Sequence, residues 1–119
     1  MASKPSVRAE ELKLETEKSP SETTVRVIGR ITSATSTSLV NSLRDLIPEA
    51  KRVVLDLTNV DYIDSSGLGA LVSLYLHARK ANCDLELTNQ KPRIRDLFRV
   101  SKLDSIFEGH EDLLGMTPD

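Results

Sequence analysis

The chain has 119 residues and a formal net charge of −2, from 16 Lys and Arg against 18 Asp and Glu. This length suits one domain, and the mixed charge lacks the concentrated basic surface that nucleic acid requires, so we expect no direct nucleic-acid partner. A single cysteine, Cys83, excludes an intramolecular disulfide. No apolar signal segment or bilayer-length run is present, which predicts a cytoplasmic protein without membrane insertion.

The beginning of the chain predicts a tail followed by a β-hairpin. Residues 1–9 are polar and are expected to form a flexible tail, and the domain is expected to cover 10–115. Leu12 to Glu15 and Thr23 to Ile31 each alternate apolar and polar residues, as half-buried strands do. The turn-forming stretch Lys18 to Glu22 lies between them.

Two helices with a strand between them are predicted next. The first helix ends at Pro48 and has an apolar face made of Leu39, Leu43, Leu46 and Ile47. The run Val53 to Leu57 lacks alternation, which favours a strand buried on both faces, and Thr58 to Ile63 indicates a connecting turn. A long helix from Ser66 to Ala81 turns a broad apolar arc towards the core.

One more strand and helix complete the predicted order. Asp84 to Thr88 alternates, and Pro92 suits the first position of a helix whose inner face carries Ile94, Leu97 and Phe98. A further helical turn is predicted near Glu111 to Leu114. The order β-β-α-β-α-β-α predicts an α/β fold, a single domain with a small mixed sheet of about four to five strands and helices packed on it.

Common catalytic and metal-binding motifs are missing from the sequence. There is no phosphate loop, no nucleophile elbow and no paired-histidine zinc motif. His77 and His110 lie far apart, and His77 falls on the polar side of its helix, which indicates a solvated side chain. Asp56, Asp61 and Asp64 do not have the spacing of a calcium loop. We therefore predict no catalytic residue, no metal site and no cofactor.

The segment Asp64-Ser65-Ser66-Gly67-Leu68-Gly69 is the strongest candidate for a functional site. Asp and Ser are preferred helix N-caps, and Gly allows a strand and a helix to approach closely, so an ordinary helix start accounts for the pattern. A phosphate on either serine would also face backbone N–H groups and the positive end of the helix dipole. Local chemistry leaves both interpretations open.

Two stretches around this segment resemble a known family. Val53 to Leu57, followed by Val60 to Leu71, resembles the signature of STAS domains, most closely that of the bacterial anti-sigma factor antagonists. The resemblance continues through Leu85 to Thr88 and Ile94 to Leu103. In that family the serine directly after the Asp is phosphorylated by the partner anti-sigma factor, which is a serine kinase, and a phosphatase later reverses the modification.

The resemblance implies a phosphoprotein that regulates sigma-factor-dependent transcription, with Ser65 as the phosphorylated residue. The unphosphorylated form would bind the anti-sigma factor through a surface that includes Asp64, Ser65, Ser66, Gly67, Leu68 and Thr32. Thr32 is a departure, since these antagonists usually carry an acidic residue in a G-x-L-D pattern and this chain has Gly29-Arg30-Ile31-Thr32. Because Thr32 replaces this acidic residue, the resemblance does not decide how the kinase recognises the chain or which partner the chain binds.

Two other functions remain open for a STAS domain. The chain could be a subunit of another assembly, such as a stressosome-like signalling complex or a lipid-transport ATPase, and use the same surface for docking. It could also be a nucleotide- or small-ligand-binding STAS module, although the sequence offers no loop that would cradle a phosphate.

Overall fold

The computed structural model describes residues 12–103. They form four strands and three α-helices, with one 3₁₀ turn at Ile47–Glu49: β1 (Leu12–Lys18), β2 (Thr23–Ile31), α1 (Ser36–Leu46), β3 (Arg52–Ile63), α2 (Ser65–Lys80), β4 (Asp84–Thr88) and α3 (Pro92–Val100). The predicted tail 1–9 and the helical turn predicted near Glu111 to Leu114 lie outside the described residues.

The sheet is mixed, as predicted, and its strand order is β1-β2-β3-β4. β1 and β2 form an antiparallel hairpin, which a hydrogen bond from the Ser19 N–H to the Glu22 carbonyl closes at 2.8 Å. β2 pairs with β3 and β3 with β4 in parallel, through the crossover helices α1 and α2. Parallel pairing places the carboxyl ends of β2 and β3 at one edge of the sheet, beside the start of α2.

Mainly aliphatic side chains fill the core between one face of the sheet and the helices. The inward residues of β2 and β3 form one buried cluster with Leu39 and Leu43 of α1, Leu71 and Leu74 of α2, and Ile94 and Phe98 of α3. The prediction that β3 is buried on both faces is wrong. Val54 and Asp56 are only half-buried, because the helices of the described region contribute their buried side chains to the opposite face.

β3 also extends further than the sequence predicts, since Thr58 to Ile63 continues the strand and is not a connecting turn. Its pairing with β2 shifts register twice, and each shift adds one extra residue to β3, as a β-bulge does. The bulges keep Val60 and Ile63 buried although each lies three residues after the previous inward side chain. The polar residues between them are exposed.

Candidate functional site

The start of α2 is joined directly to the ends of β2 and β3. The Asp64 N–H donates to the Ile31 carbonyl at 3.2 Å, which holds the chain beside the end of β2. The Asp64 carboxylate is the N-cap of α2, and its Oδ1 accepts a hydrogen bond from the Gly67 N–H at 2.9 Å. Ser65 is the first residue of the helix, and both Ser65 and Ser66 are exposed.

The second oxygen of Asp64 connects this helix start to the loop between β2 and α1. Asp64 Oδ2 accepts a hydrogen bond from the Ser33 N–H at 3.2 Å. One carboxylate therefore caps α2 and also fixes the loop that contains Thr32. This contact brings Thr32, the residue that departs from the antagonist pattern, into the neighbourhood of Ser65.

Thr32 is half-buried, and its polar groups organise the loop. Its hydroxyl accepts a hydrogen bond from the Ala34 N–H at 3.1 Å, and its own N–H donates to the Thr35 hydroxyl at 2.9 Å. The buried Thr35 hydroxyl in turn donates to the Arg30 carbonyl at 2.7 Å. Thr32 thus stabilises the turn where the family pattern places an acidic side chain.

Gly67 is required by the close contact between α2 and the sheet. A Cβ at this position would lie 2.2 Å from the Ile31 carbonyl oxygen and 2.8 Å from Ile63 Cγ2. Within residues 12–103 no such contact exists at Gly69, where a Cβ would meet nothing within 4 Å. The close approach that the sequence predicts for glycine is therefore found at Gly67. Leu68 is half-buried and packs against the core, whereas the two serines before Gly67 are exposed.

Sequence reasoning missed a cation–π pair beside the site. The Arg30 guanidinium carbon lies 4.7 Å from the centroid of the Tyr62 ring, a distance typical of a cation–π contact, and Tyr62 is 40% exposed. The two residues are register partners on β2 and β3. Because that register depends on two bulges, no local sequence pattern predicts the pair.

His77 differs from its predicted solvated state. It is half-buried between α1 and α2, and its Nε2 atom is enclosed without a hydrogen-bond partner among the described residues. Within residues 12–103, no three His, Cys, Asp or Glu side chains are grouped as metal ligands would be. No helix in that same range is long and apolar enough to cross a membrane.

This arrangement, a mixed sheet whose central strand leads into a capped helix, is the fold of a known family. The STAS domain model matches residues 13–114. The chain therefore belongs to the STAS domain family, as the sequence predicts. Its solved structural neighbours include anti-sigma factor antagonists, which confirms the predicted STAS-like fold.

Two relatives illustrate the sequence likeness. A STAS-domain containing protein of Pseudomonas aeruginosa is 30% identical over 87 residues, which cover 73% of this chain and 86% of that protein. The anti-sigma-B factor antagonist of Listeria monocytogenes is 37% identical over 54 residues, which cover 45% of this chain and 47% of that protein.

Two solved structures illustrate the likeness of fold. An anti-sigma factor antagonist from Mycobacterium paratuberculosis aligns with a TM-score of 0.75 and 22% identity, over 85% of this chain and 86% of that one. The Bacillus cell fate determinant SpoIIAA in its phosphorylated form aligns with a TM-score of 0.63 and 17% identity, over 88% of this chain and 100% of that one.

Proposed function

We propose that the chain is an anti-sigma factor antagonist that binds an anti-sigma factor serine kinase and is switched off by phosphorylation at Ser65. The observation that carries the proposal is the position of Ser65 as the exposed first residue of α2, directly after its N-cap Asp64. The relatives named as anti-sigma factor antagonists support the choice of partner. In this proposal the protein is a cytoplasmic regulator without catalytic residues, and its domain covers 10–115.

A phosphate on Ser65 is compatible with the fold. Ser65 is exposed, so no buried side chain has to move, and the phosphate would face the first-turn N–H groups at the positive end of the helix dipole. The modification therefore acts on the partner and leaves the domain folded.

The phosphate weakens binding of the partner and does not destabilise the domain. Phosphorylation adds about 1.5 to 2 negative charges to an exposed serine at pH 7. Two unit charges at ~4 Å interact by about 4 kcal/mol at an effective dielectric of ~20. Since each 1.4 kcal/mol changes affinity about tenfold, a partner that places a carboxylate or an apolar patch over Ser65 is released without any refolding.

Phosphate transfer to Ser65 tests this function directly. The purified chain is incubated with ATP and the anti-sigma factor kinases encoded in the same genome, and the tryptic peptide that contains Ser65 is examined by mass spectrometry. We expect one phosphate on Ser65, none in Ser65→Ala, and normal modification of Ser66→Ala. A phosphate on Ser66, or no modification by any of these kinases, would contradict the proposal.

A further inference from the structure

α2 presents an exposed stripe that begins at Ser65 and continues along the helix. Gly69, Ser73, Leu76 and Lys80 follow at spacings of four, four, three and four residues, which places them on one side of an α-helix. All of them are exposed, and Leu76 is 54% exposed although it is a large apolar residue. A partner that covers Ser65 can therefore also contact the rest of this stripe, because all of its residues lie on the same side of α2.

α1 lies beside the stripe and makes it one wall of a groove of about 400 Å³. We refer to this feature as the α1–α2 groove. Its apolar lining includes Val40, Val72 and Leu76, and its cationic lining consists of Arg44 and Lys80. Among the described residues, no Asp or Glu lines the groove, and the enclosed Nε2 of His77 adds a polar group without a partner there. The groove therefore combines apolar contact with a preference for negative charge.

Gly69 deepens the groove next to Ser65. Glycine in the interior of a helix is unfavourable compared with alanine, and the packing of the described residues does not require it here, because a Cβ would meet nothing within 4 Å. Gly67, two residues earlier, has the opposite environment. The missing side chain at Gly69 leaves room at the head of the stripe for an approaching chain.

We propose that the α1–α2 groove binds an acidic, amphipathic helix of the partner that docks at Ser65. The identity of that partner rests on the proposed function. The preference for an acidic, amphipathic helix rests only on the residues that line the groove. Carboxylates of the helix pair with Arg44 and Lys80, and its apolar face packs on Val40, Val72 and Leu76. At a rise of 1.5 Å per residue, the stripe from Ser65 to Lys80 is about 22 Å long, which accommodates about four turns of a docked helix.

A second copy of the chain fits the groove less well. Among the described apolar residues that line the groove, Leu76 alone is strongly exposed. A stable homodimer interface needs a broader apolar area than one such side chain provides. Two copies meeting at this face would also bring Arg44 and Lys80 close to the same cations of the other copy. The groove therefore favours a charged partner segment over self-association.

Binding of an acidic helix in the groove also predicts that phosphorylation of Ser65 lowers the affinity of the partner. A phosphate on Ser65 stands at the head of the stripe along which the acidic helix would lie. It repels the carboxylates nearest to it, whereas an unmodified serine does not. Carboxylates that pair with Lys80 lie about 22 Å along the stripe from Ser65, so the phosphate acts on those at the Ser65 end of the docked helix.

The test uses the full chain, isotope-labelled for NMR, and two synthetic helical peptides with the same apolar face. One peptide carries Glu on its polar face and the other carries Lys. We expect the Glu peptide to shift the amide signals of Gly69, Ser73 and Leu76 and to bind more weakly as salt concentration rises. The Lys peptide should leave these signals unchanged.

Two matched substitutions locate the binding surface. Leu76→Asp should weaken binding of the Glu peptide at least about tenfold, as removal of a central interface anchor does. Val100→Asp, at the 79% exposed Val100 on α3, should change affinity less than about twofold. Equal binding of both peptides, shifts that map elsewhere, or no binding of the Glu peptide would overturn the proposal. A dimer that Leu76→Asp dissociates would assign the groove to a second copy.

Failure of this inference can be separated from failure of the proposed function. If a kinase binds the chain and phosphorylates Ser65, but binds Leu76→Asp as tightly as the natural sequence, the groove assignment is wrong and the antagonist function stands. If the Glu peptide binds in the groove but no anti-sigma factor kinase binds the chain or modifies Ser65, the groove assignment stands and the function is wrong.

Discussion

Two glycines at the start of α2 have opposite roles. Gly67 lies against the Ile31 carbonyl oxygen, where a Cβ would overlap the backbone, whereas a Cβ at Gly69 would meet none of the described residues within 4 Å. The first glycine sets the distance between the helix and the sheet. The second is less favourable than alanine in a helix interior, and it lines the α1–α2 groove.

Alanine substitutions should separate these roles. Gly67→Ala should lower the free energy of unfolding by about 3 kcal/mol, because the new methyl group displaces α2 from the end of β2. Gly69→Ala should raise the free energy of unfolding by about 0.5 to 1 kcal/mol through helix propensity alone. Urea denaturation of the two variants measures both effects. A loss of stability in Gly69→Ala similar to that in Gly67→Ala would contradict the difference in packing.

Some features of single residues could be predicted from sequence. The segment from Asp64 to Gly67 was interpretable as a helix start because capping and close approach depend on neighbours in the chain. The contacts of Asp64 Oδ2 with Ser33 and of Arg30 with Tyr62 were not, since they join distant segments whose register the sequence does not display.

Asp56 connects the first bulge of β3 to Asn89, the residue that follows β4. Its Oδ1 accepts hydrogen bonds from the Thr58 hydroxyl at 2.6 Å, the Thr58 N–H at 3.0 Å and the Asn89 side-chain amide at 3.1 Å. Partial burial raises the pKa of Asp56. The hydrogen bonds and the charge of Arg26 together lower it by more than burial raises it, so that the pKa lies below its ordinary value of 3.8.

The lowered pKa of Asp56 gives stability a specific pH dependence. A carboxylate with a lower pKa in the folded state stabilises the fold above its unfolded pKa, and this contribution disappears as pH falls through the folded pKa. Asp56→Asn should therefore reduce the free energy of unfolding at pH 7 and have little effect at strongly acidic pH. Urea denaturation of both proteins over this pH range measures the difference. A difference that is constant with pH would show that the charge of Asp56 does not contribute.

The elements themselves were mostly predictable because their periodicity is local. β2, β4 and the start of α3 at Pro92 match the predicted positions, and α2 matches within one residue at each end. The sequence predicts too short a β3, because Thr58, Asn59 and Asp61 resemble turn residues, yet they occupy exposed positions of a bulged strand. A helical wheel predicts a solvated His77 because it does not include the neighbouring helix α1.

The proposed switch at Ser65 lies where β2, β3 and α2 meet. Among the described residues, the contacts that join these elements do not involve the Ser65 side chain. The sheet holds the ends of β2 and β3 together, Asp64 fixes the neighbouring loop and the helix cap, and Ser65 remains exposed at the surface. Phosphorylation should accordingly leave the urea denaturation midpoint unchanged or slightly raised, because the added charge lies at a helix N-terminus. A large fall in that midpoint would mean that the phosphate acts by unfolding the domain.

The affinity of the anti-sigma factor for two forms of the chain shows whether phosphorylation of Ser65 releases the partner. Calorimetric titration would compare the unmodified chain with the chain phosphorylated at Ser65. We predict binding of the unmodified chain and at least about tenfold weaker binding of the phosphorylated chain, because charge repulsion of about 1.4 kcal/mol or more opposes docking. Equal affinity for the two forms would contradict the account of Ser65 as a charge switch.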